Sequence, residues 1–309
     1  MQGVQYLTTE EAGAYLRIKV RKVYEMAAAG TIPCSKVTGK WLFPRAALDR
    51  WIVAGLSRPE GFSDKTPPAI VGGSTDPLLE WAVRQSGSGL ASLPEGSEAG
   101  LRRLAGNDVA IAAIHLHREQ EDEAGKGIKG SDSVDHDANT ETVRSMPGLH
   151  DAVVVSFARR EQGIVTAAGN PLAIRSIPDA LGRKARVALR QKGAGAQLLL
   201  MRLLAAEGIE PEALSAAGPP ASTGQDLALA VRAGSADWGI ATRAIADTHG
   251  LGFVPVLWES FDLVLRRRTY FEPGVQALMR FLNSDAFAER AAALGGYDVC
   301  AAGAVRLNM

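Results

Sequence analysis

The chain has only two cysteines, Cys34 and Cys300, in 309 residues. Two thiols form no disulfide framework, and these two lack the spacing of a metal site, so both are expected to be reduced. Long apolar runs are also missing: no stretch approaches the roughly 18 uncharged apolar residues of a membrane span. The opening MQGVQYLTTEEAG lacks the basic-then-apolar pattern of an export signal, so the expected location is the cytoplasm, with no membrane partner. Catalytic signatures are scarce as well. RQKGAG (190–195) lacks the Gly-Lys-Ser/Thr ending of a phosphate loop. Nor is there a Gly-x-Ser-x-Gly elbow, a Cys/His metal set or an ordered triad. The expectation is a non-enzyme with no catalytic residue, resident cofactor or metal.

What is present is the composition of a soluble globular protein, 46% hydrophobic and 22% charged, in a chain too long for one ordinary core. Its 34 Lys and Arg balance 34 Asp and Glu, yet the two signs are unevenly placed. Residues 1–55 carry eight Lys and Arg against four acids, leaving 26 against 30 in the remainder. A small basic module on a mildly acidic body favours a polyanionic partner for the first part only.

Within that module, Thr8-Thr9-Glu10-Glu11 has capping-box spacing and opens a helix to about Leu16. A break at 17–20 precedes RKVYEMAAAG, a second helix with Gly30 as its stop. Thr38-Gly39 reads as a hairpin tip, and Pro44 precedes a third helix, RAALDRWI. In this order the stretch resembles the excisionase-type and MerR-like branch of the winged helix-turn-helix family. The resemblance rests on a T-x-x-E opening followed by alanine, a Gly-x-Ile-Pro exit, a Gly-Lys-Trp wing and an aromatic late in the last helix. It implies double-stranded DNA as partner, with Lys19, Arg21, Lys22 and Tyr24 on the major-groove helix and Lys36, Lys40 and Trp41 at the wing. The bland alternative makes the charges a solvated face and Trp41 a plug of the small core.

Leu56–Pro68 is rich in Pro, Ser and charge, without apolar period, and reads as a linker between a 1–55 domain and a 69–309 domain. Beyond it, strand-like and helix-like segments alternate, predicting an α/β fold with largely parallel sheets. AIVGG, DVAIAAIHLH, DAVVVSFAR and GIVTAAG read as four separate strands, and Arg118–Glu141 as a long exposed loop.

The pieces GGSTDP (72–77), IHLH (114–117), REQGIV (160–165), GNP (169–171), RQKGAG (190–195), GSADWGIAT (234–242), PVLWESFDLVL (255–265) and LGGYD (294–298) give this body a further resemblance. It is similar to periplasmic-binding-protein-like domains of the molybdate-binding class. That implies a two-lobed type II fold, one lobe from 69–160 with 258–309 and the other from 161–257. It also implies a ligand such as molybdate or tungstate. Gly73, Ser74 and Thr75 between a strand and Pro77, and Arg190, Gly193, Ala194 and Gly195 before another helix, are the donor nests for an anion. The alternative is that these glycines only permit tight turns, with Ser74 or Asp76 as a helix cap. His115, Asn170, Asp237 and Tyr297 complete the candidate ligand set, each with a structural alternative: a satisfied histidine, a turn residue, an arginine partner and a buried ring. His115 and His117 alternate on a strand and so point to opposite faces, poor spacing for a metal.

Two departures from the family pattern matter. Gly193-Ala194-Gly195-Ala196-Gln197 stands where a Gly-Ser-Gly-Thr-Arg-like run is usual, and Ser74-Thr75-Asp76-Pro77 where Ser-His-Asp-Pro is usual. Two hydroxyls and an arginine are missing, which weakens the case for a dianion and leaves another anion or a small organic ligand open. The overall expectation is a one-component transcriptional regulator, acting as a homodimer because one helix-turn-helix covers only a half-site. The alternatives are an architectural excisionase-like protein with a non-sensing C-terminal domain and an enzyme of molybdenum-cofactor metabolism.

Overall fold

The computed structural model of the chain describes residues 6–36, 39–55, 66–116 and 138–309. It divides into two units, Met1–Pro59 and Glu60–Met309. In the first, β1 (Tyr6–Leu7) leads into α1 (Thr9–Leu16). Thr8 Oγ1 accepts from Glu11 N at 3.3 Å and Glu11 Oε2 accepts from Thr8 N at 2.8 Å, so the capping box closes as its spacing predicts. A left-handed Arg17 ends α1, and the chain turns into α2 (Val20–Ala28). β2 (Phe43–Pro44) pairs antiparallel with β1, and α3 (Arg45–Ala54) follows. Ser35 and Leu42 pair at the base of the hairpin, whose tip at Thr38 lies outside the described residues. Leu7, Ala12, Val23, Ala27, Ile32, Phe43 and Leu48 form the core, drawing one or two apolar residues from each element. This is the winged helix-turn-helix read from the sequence; the β1–β2 pair, two residues on each side, is too short to show as a pattern.

The second unit begins with three parallel strands, β3 (Ile70–Gly73), β4 (Ala91–Pro94) and β5 (Ile111–Ile114), joined through α4 (Pro77–Gln85) and α5 (Ser97–Ala105). After α6 (Ala138–Ser145) comes β6 (Ala152–Thr166). A second parallel wing follows: α7 (Ile177–Gly182), β7 (Arg186–Ala188), α8 (Gly195–Ala206), β8 (Ser215–Ala216), α9 (Gly224–Arg232), β9 (Trp238–Thr242) and α10 (Arg243–Thr248). β10 (Gly252–Arg266) then returns antiparallel along the whole of β6. The helices α11 (Arg267–Tyr270), α12 (Pro273–Leu282) and α13 (Asp285–Leu294) precede β11 (Tyr297–Asp298) and β12 (Val305–Asn308), which also pair with β6.

Among the described residues the sheet runs β4-β3-β5-β10-β6-β9-β7-β8. Two apolar clusters, with α4, α12 and α13 on one face and α5 and α6 on the other, draw on residues 71–158 and 261–307. Two more, built with α7 and α8 or with α9 and α10, draw on 164–246. Each cluster is a sheet face covered by helices, the arrangement an α/β alternation demands.

The expectation of largely parallel sheets holds only in the two wings. The chain passes from one wing to the other along β6 and comes back along β10, so the central pair is necessarily antiparallel. DAVVVSFAR and GIVTAAG are likewise one strand rather than two. The intervening Arg160-Glu161-Gln162 looks like a polar break, but each side chain has a charged partner: Arg160 and Gln162 bond Glu259, and Glu161 bonds Arg243. Of the loop expected at 118–141, residues 118–137 lie outside the described residues, while 138–141 open α6. Asn139 is buried there because its side chain bonds Leu116 N, Ser260 O and Asp262.

Candidate functional site

The cleft of the second unit forms where helices of both wings begin. Pro77 is the first residue of α4, and Asp76 caps that helix by accepting from Leu78 N and Leu79 N at 2.9 and 3.1 Å. Gly96 precedes α5, Ala194 precedes α8, and Thr223 caps α9 in a second capping box with Asp226. Asp76, Pro77, Gly96, Ala194 and Thr223, with Ser74, Thr75, Gly195, Gly224 and Thr242, line one cavity of about 120 Å³. Four helices of nine or more residues thus point their N-terminal partial positive charge into one space.

Close packing shapes the walls. Gly73 has φ 98°, and a Cβ there would lie 2.4 Å from Ala113 O. Ser74 N donates to that same carbonyl at 2.8 Å. Ser74 Oγ lies 2.9 Å from Ser97 Oγ, which in turn meets both the N–H and the carbonyl of His115 at 3.0 Å. The His115 ring faces the other wing: a Cβ on Gly195 would fall 1.8 Å from His115 Nε2. Any side chain at 195 would force the His115 ring to move.

Two arginines stand at the cleft in different states. Arg160 is 2% exposed; its Nε donates to Glu259 at 2.5 Å and its Nη1 to Asp76 at 3.0 Å. Burial opposes its charge, but Glu259 and Asp76 outweigh burial and raise its pKa. Tyr297 donates its hydroxyl to the same Asp76 oxygen at 2.9 Å and, desolvated beside that carboxylate, stays a phenol. Arg190 is different. Its Nε and Nη2 donate to the carbonyls of Ala221 and Ser222, and among the described residues no carboxylate lies within ion-pairing distance. Burial, with the Arg160 charge nearby, pulls its pKa down to about 10, so it remains a cation at neutral pH.

Of the ligand residues expected from sequence, Gly73, Ser74, Thr75, His115, Arg190, Ala194 and Gly195 line the cleft together. Gly193 stands beside them, its carbonyl 3.1 Å from where a Cβ on Gly96 would sit. Tyr297 acts one step back, through Asp76. Asn170 and Asp237 are elsewhere. The Asn170 side chain closes a turn onto Ile174, accepting from its N–H and donating to its carbonyl. Asp237 is paired with Arg186, whose hydrogen bonds hold its carboxyl below the usual range. Sequence reasoning missed Glu80, Arg160, Gln162, Thr223 and Thr242, which also line the cleft. The T-x-x-D spacing of Thr223 and Asp226 was the one local signal among them. His117 lies outside the described residues, and among those described no cluster of metal-ligating side chains occurs.

In the first unit Lys19, Arg21, Lys22 and Tyr24 are exposed along the start of α2. Glu25 pairs with Arg21 at 3.2 Å and Lys22 at 3.7 Å. Lys36 and Lys40 are exposed; Lys36 Nζ sits 5.1 Å from the Trp41 ring centroid, and the ring also packs against the small core. Arg45 stacks locally on Tyr15.

A helix-turn-helix domain model matches residues 6–54, and a PBP superfamily domain model, the periplasmic-binding-protein type, matches residues 79–283. The chain belongs to the PBP superfamily and carries a helix-turn-helix DNA-binding domain ahead of its ligand-binding domain. It is 22% identical to the uncharacterized protein YvgK of Bacillus subtilis over 316 residues, 97% of each chain. A putative phosphate transporter substrate-binding protein from Clostridium perfringens, solved with bound phosphate, superposes with a TM-score of 0.50 at 12% identity. That match covers 73% of this chain and 96% of the other, and shows a shared fold. The Corynebacterium glutamicum OxyR C206 mutant gives 0.47 at 15% identity, covering 93% and 90%. No described helix is long and apolar enough to cross a membrane.

Proposed function

We propose that the protein is a cytoplasmic, homodimeric one-component transcriptional regulator whose cleft senses a small anion. The observation that carries the sensing half is the convergence of four helix N-termini with Arg190, a half-buried cation that no described carboxylate pairs with directly. An anion there satisfies donors from both wings at once and holds them closed over Gly195 and His115. Lys19, Arg21, Lys22, Lys36 and Lys40 supply phosphate neutralisation on DNA, with Tyr24 and Trp41 beside them. The domain boundaries proposed for this activity are 1–55, 56–68 and 69–309, the last as lobes 69–160 with 258–309 and 161–257. Binding rather than catalysis fits a cleft whose charged groups are committed to holding structure or receiving charge.

Thermal denaturation of the full chain with molybdate, tungstate, sulfate, phosphate and small carboxylates tests the sensor. At least one anion is expected to raise the melting temperature, and Arg190→Met to remove that shift. If no anion shifts the wild type, or if Arg190→Met responds like it, the cleft is not the sensor.

A further inference from the structure

Gln162 lines the cleft and is 2% exposed, yet its side-chain Oε1 is buried with no hydrogen-bond partner. The amide cannot be turned round to hide this. Its Nε2 donates to Glu259 Oε1 at 2.9 Å, the oxygen that also accepts from Arg160 Nε. A carboxylate oxygen that already accepts from a guanidinium has no proton to donate, so the amide nitrogen must face Glu259 and the oxygen must be the free atom. An orphaned buried acceptor is costly unless something donates to it.

The rest of the lining agrees. Glu80 and Glu95 also face the cavity. Glu95 is engaged by Arg103 at 2.6 Å, whereas burial raises the Glu80 carboxyl above its usual range. The walls therefore present acceptors as well as donors. A fully ionised tetrahedral oxyanion has only acceptors to offer and would leave Gln162 Oε1 unmatched. Size points the same way: at roughly 10–15 Å³ per water, a cavity of about 120 Å³ exceeds the five atoms of such an ion.

We infer that the ligand is a small hydroxylated carboxylate, its carboxylate received by Arg190 and the helix N-termini and its hydroxyl donating to Gln162 Oε1. This rests on the anion-sensing reading above and narrows it to a class. Specificity of this kind is strong because a ligand without the hydroxyl leaves the buried acceptor unpaired.

Calorimetric titration of the full chain with matched pairs tests it: malate against succinate, citrate against tricarballylate, and hydrogen phosphate against sulfate and molybdate. The hydroxylated carboxylates are expected to bind on the order of tenfold or more tighter than their partners. Gln162→Met is expected to shrink that ratio toward one while weak carboxylate binding survives. Equal binding within the carboxylate pairs, or tighter binding of phosphate, sulfate or molybdate than of any carboxylate, overturns the inference and leaves the anion sensor standing. Failure of every probe to bind folded protein overturns both. Should Gln162→Met fail to fold, Gln162→Glu at pH 8 is the second variant: it keeps the shape and is expected to lower affinity for malate and succinate alike if the position faces the ligand. Unchanged affinities would overturn the assignment.

Discussion

The two units handle charge in opposite ways. In the first, the cations of α2 and the wing are exposed around a core of seven residues, paired at most with Glu25. In the second, Arg160, Glu259 and Asp76 are buried at the cleft and form one connected network with Tyr297. Exposed charge attracts a polyanion without selecting it, and salt weakens the attraction. Buried charge is fixed in place and selects, because any partner that leaves a group unmatched is penalised. A protein that must hold DNA loosely and one small molecule selectively needs both arrangements in one chain.

The largest expected effect separates the units. Phe43 is fully buried, and Phe43→Ala is expected to cost about 3–5 kcal/mol, enough to unfold a unit with so small a core. Loss of DNA binding with an unchanged melting transition of the larger unit would confirm that the two are independent; joint unfolding would contradict it.

Next comes pH. Asp262 is buried against Arg306 and Asn139, and burial pushes its pKa up to about 6 from an unfolded value near 3.8. The folded state holds this proton more tightly, so the stability that the group contributes is fully present below about pH 4. It is lost as pH rises toward 6, on the order of 3 kcal/mol in all. Comparing urea unfolding of the wild type with Asp262→Asn should show the variant gaining on the wild type over that window; parallel curves would refute the assignment.

On the DNA side, Arg21→Ala with Lys22→Ala should flatten the salt dependence of DNA affinity by roughly 0.9 in log-log slope for each phosphate that is no longer neutralised. Ligand-induced stabilisation should be untouched. An unchanged slope would return both residues to a solvated face. The smallest effect belongs to Thr8→Ala, which opens the capping box of α1 at a cost of about 1 kcal/mol and should lower the melting temperature of the first unit alone.

What could be seen in the sequence was what local chemistry decides. The box at Thr8 and Glu11, Pro77 opening α4, and the turns at Gly73-Ser74-Thr75 and Gly193-Ala194-Gly195 all lie within a few residues of what they build. The family motifs placed both folds for the same reason. The antiparallel centre of the sheet did not show, because only the pairing of residues 152–166 with 252–266 makes Arg160 and Glu259 neighbours across 99 positions. The same distance hid Gln162, whose polar run looked like a break between strands. Asn170 and Asp237 drew notice as family positions, but Ile174, four residues on from Asn170, and Arg186, across the sheet from Asp237, take up their polar atoms.

A ligand bound in the cleft is expected to change DNA affinity. The direct test is duplex selection from a random pool by the full chain, followed by titration of the selected duplex with and without the anion that most raises the melting temperature. A sensor coupled to its DNA-binding domain by about 1 kcal/mol or more is expected to change Kd at least about fivefold, and Arg190→Met to abolish the change. Stabilisation by the anion with the same DNA affinity throughout would contradict that expectation, leaving a binding domain that does not speak to its helix-turn-helix.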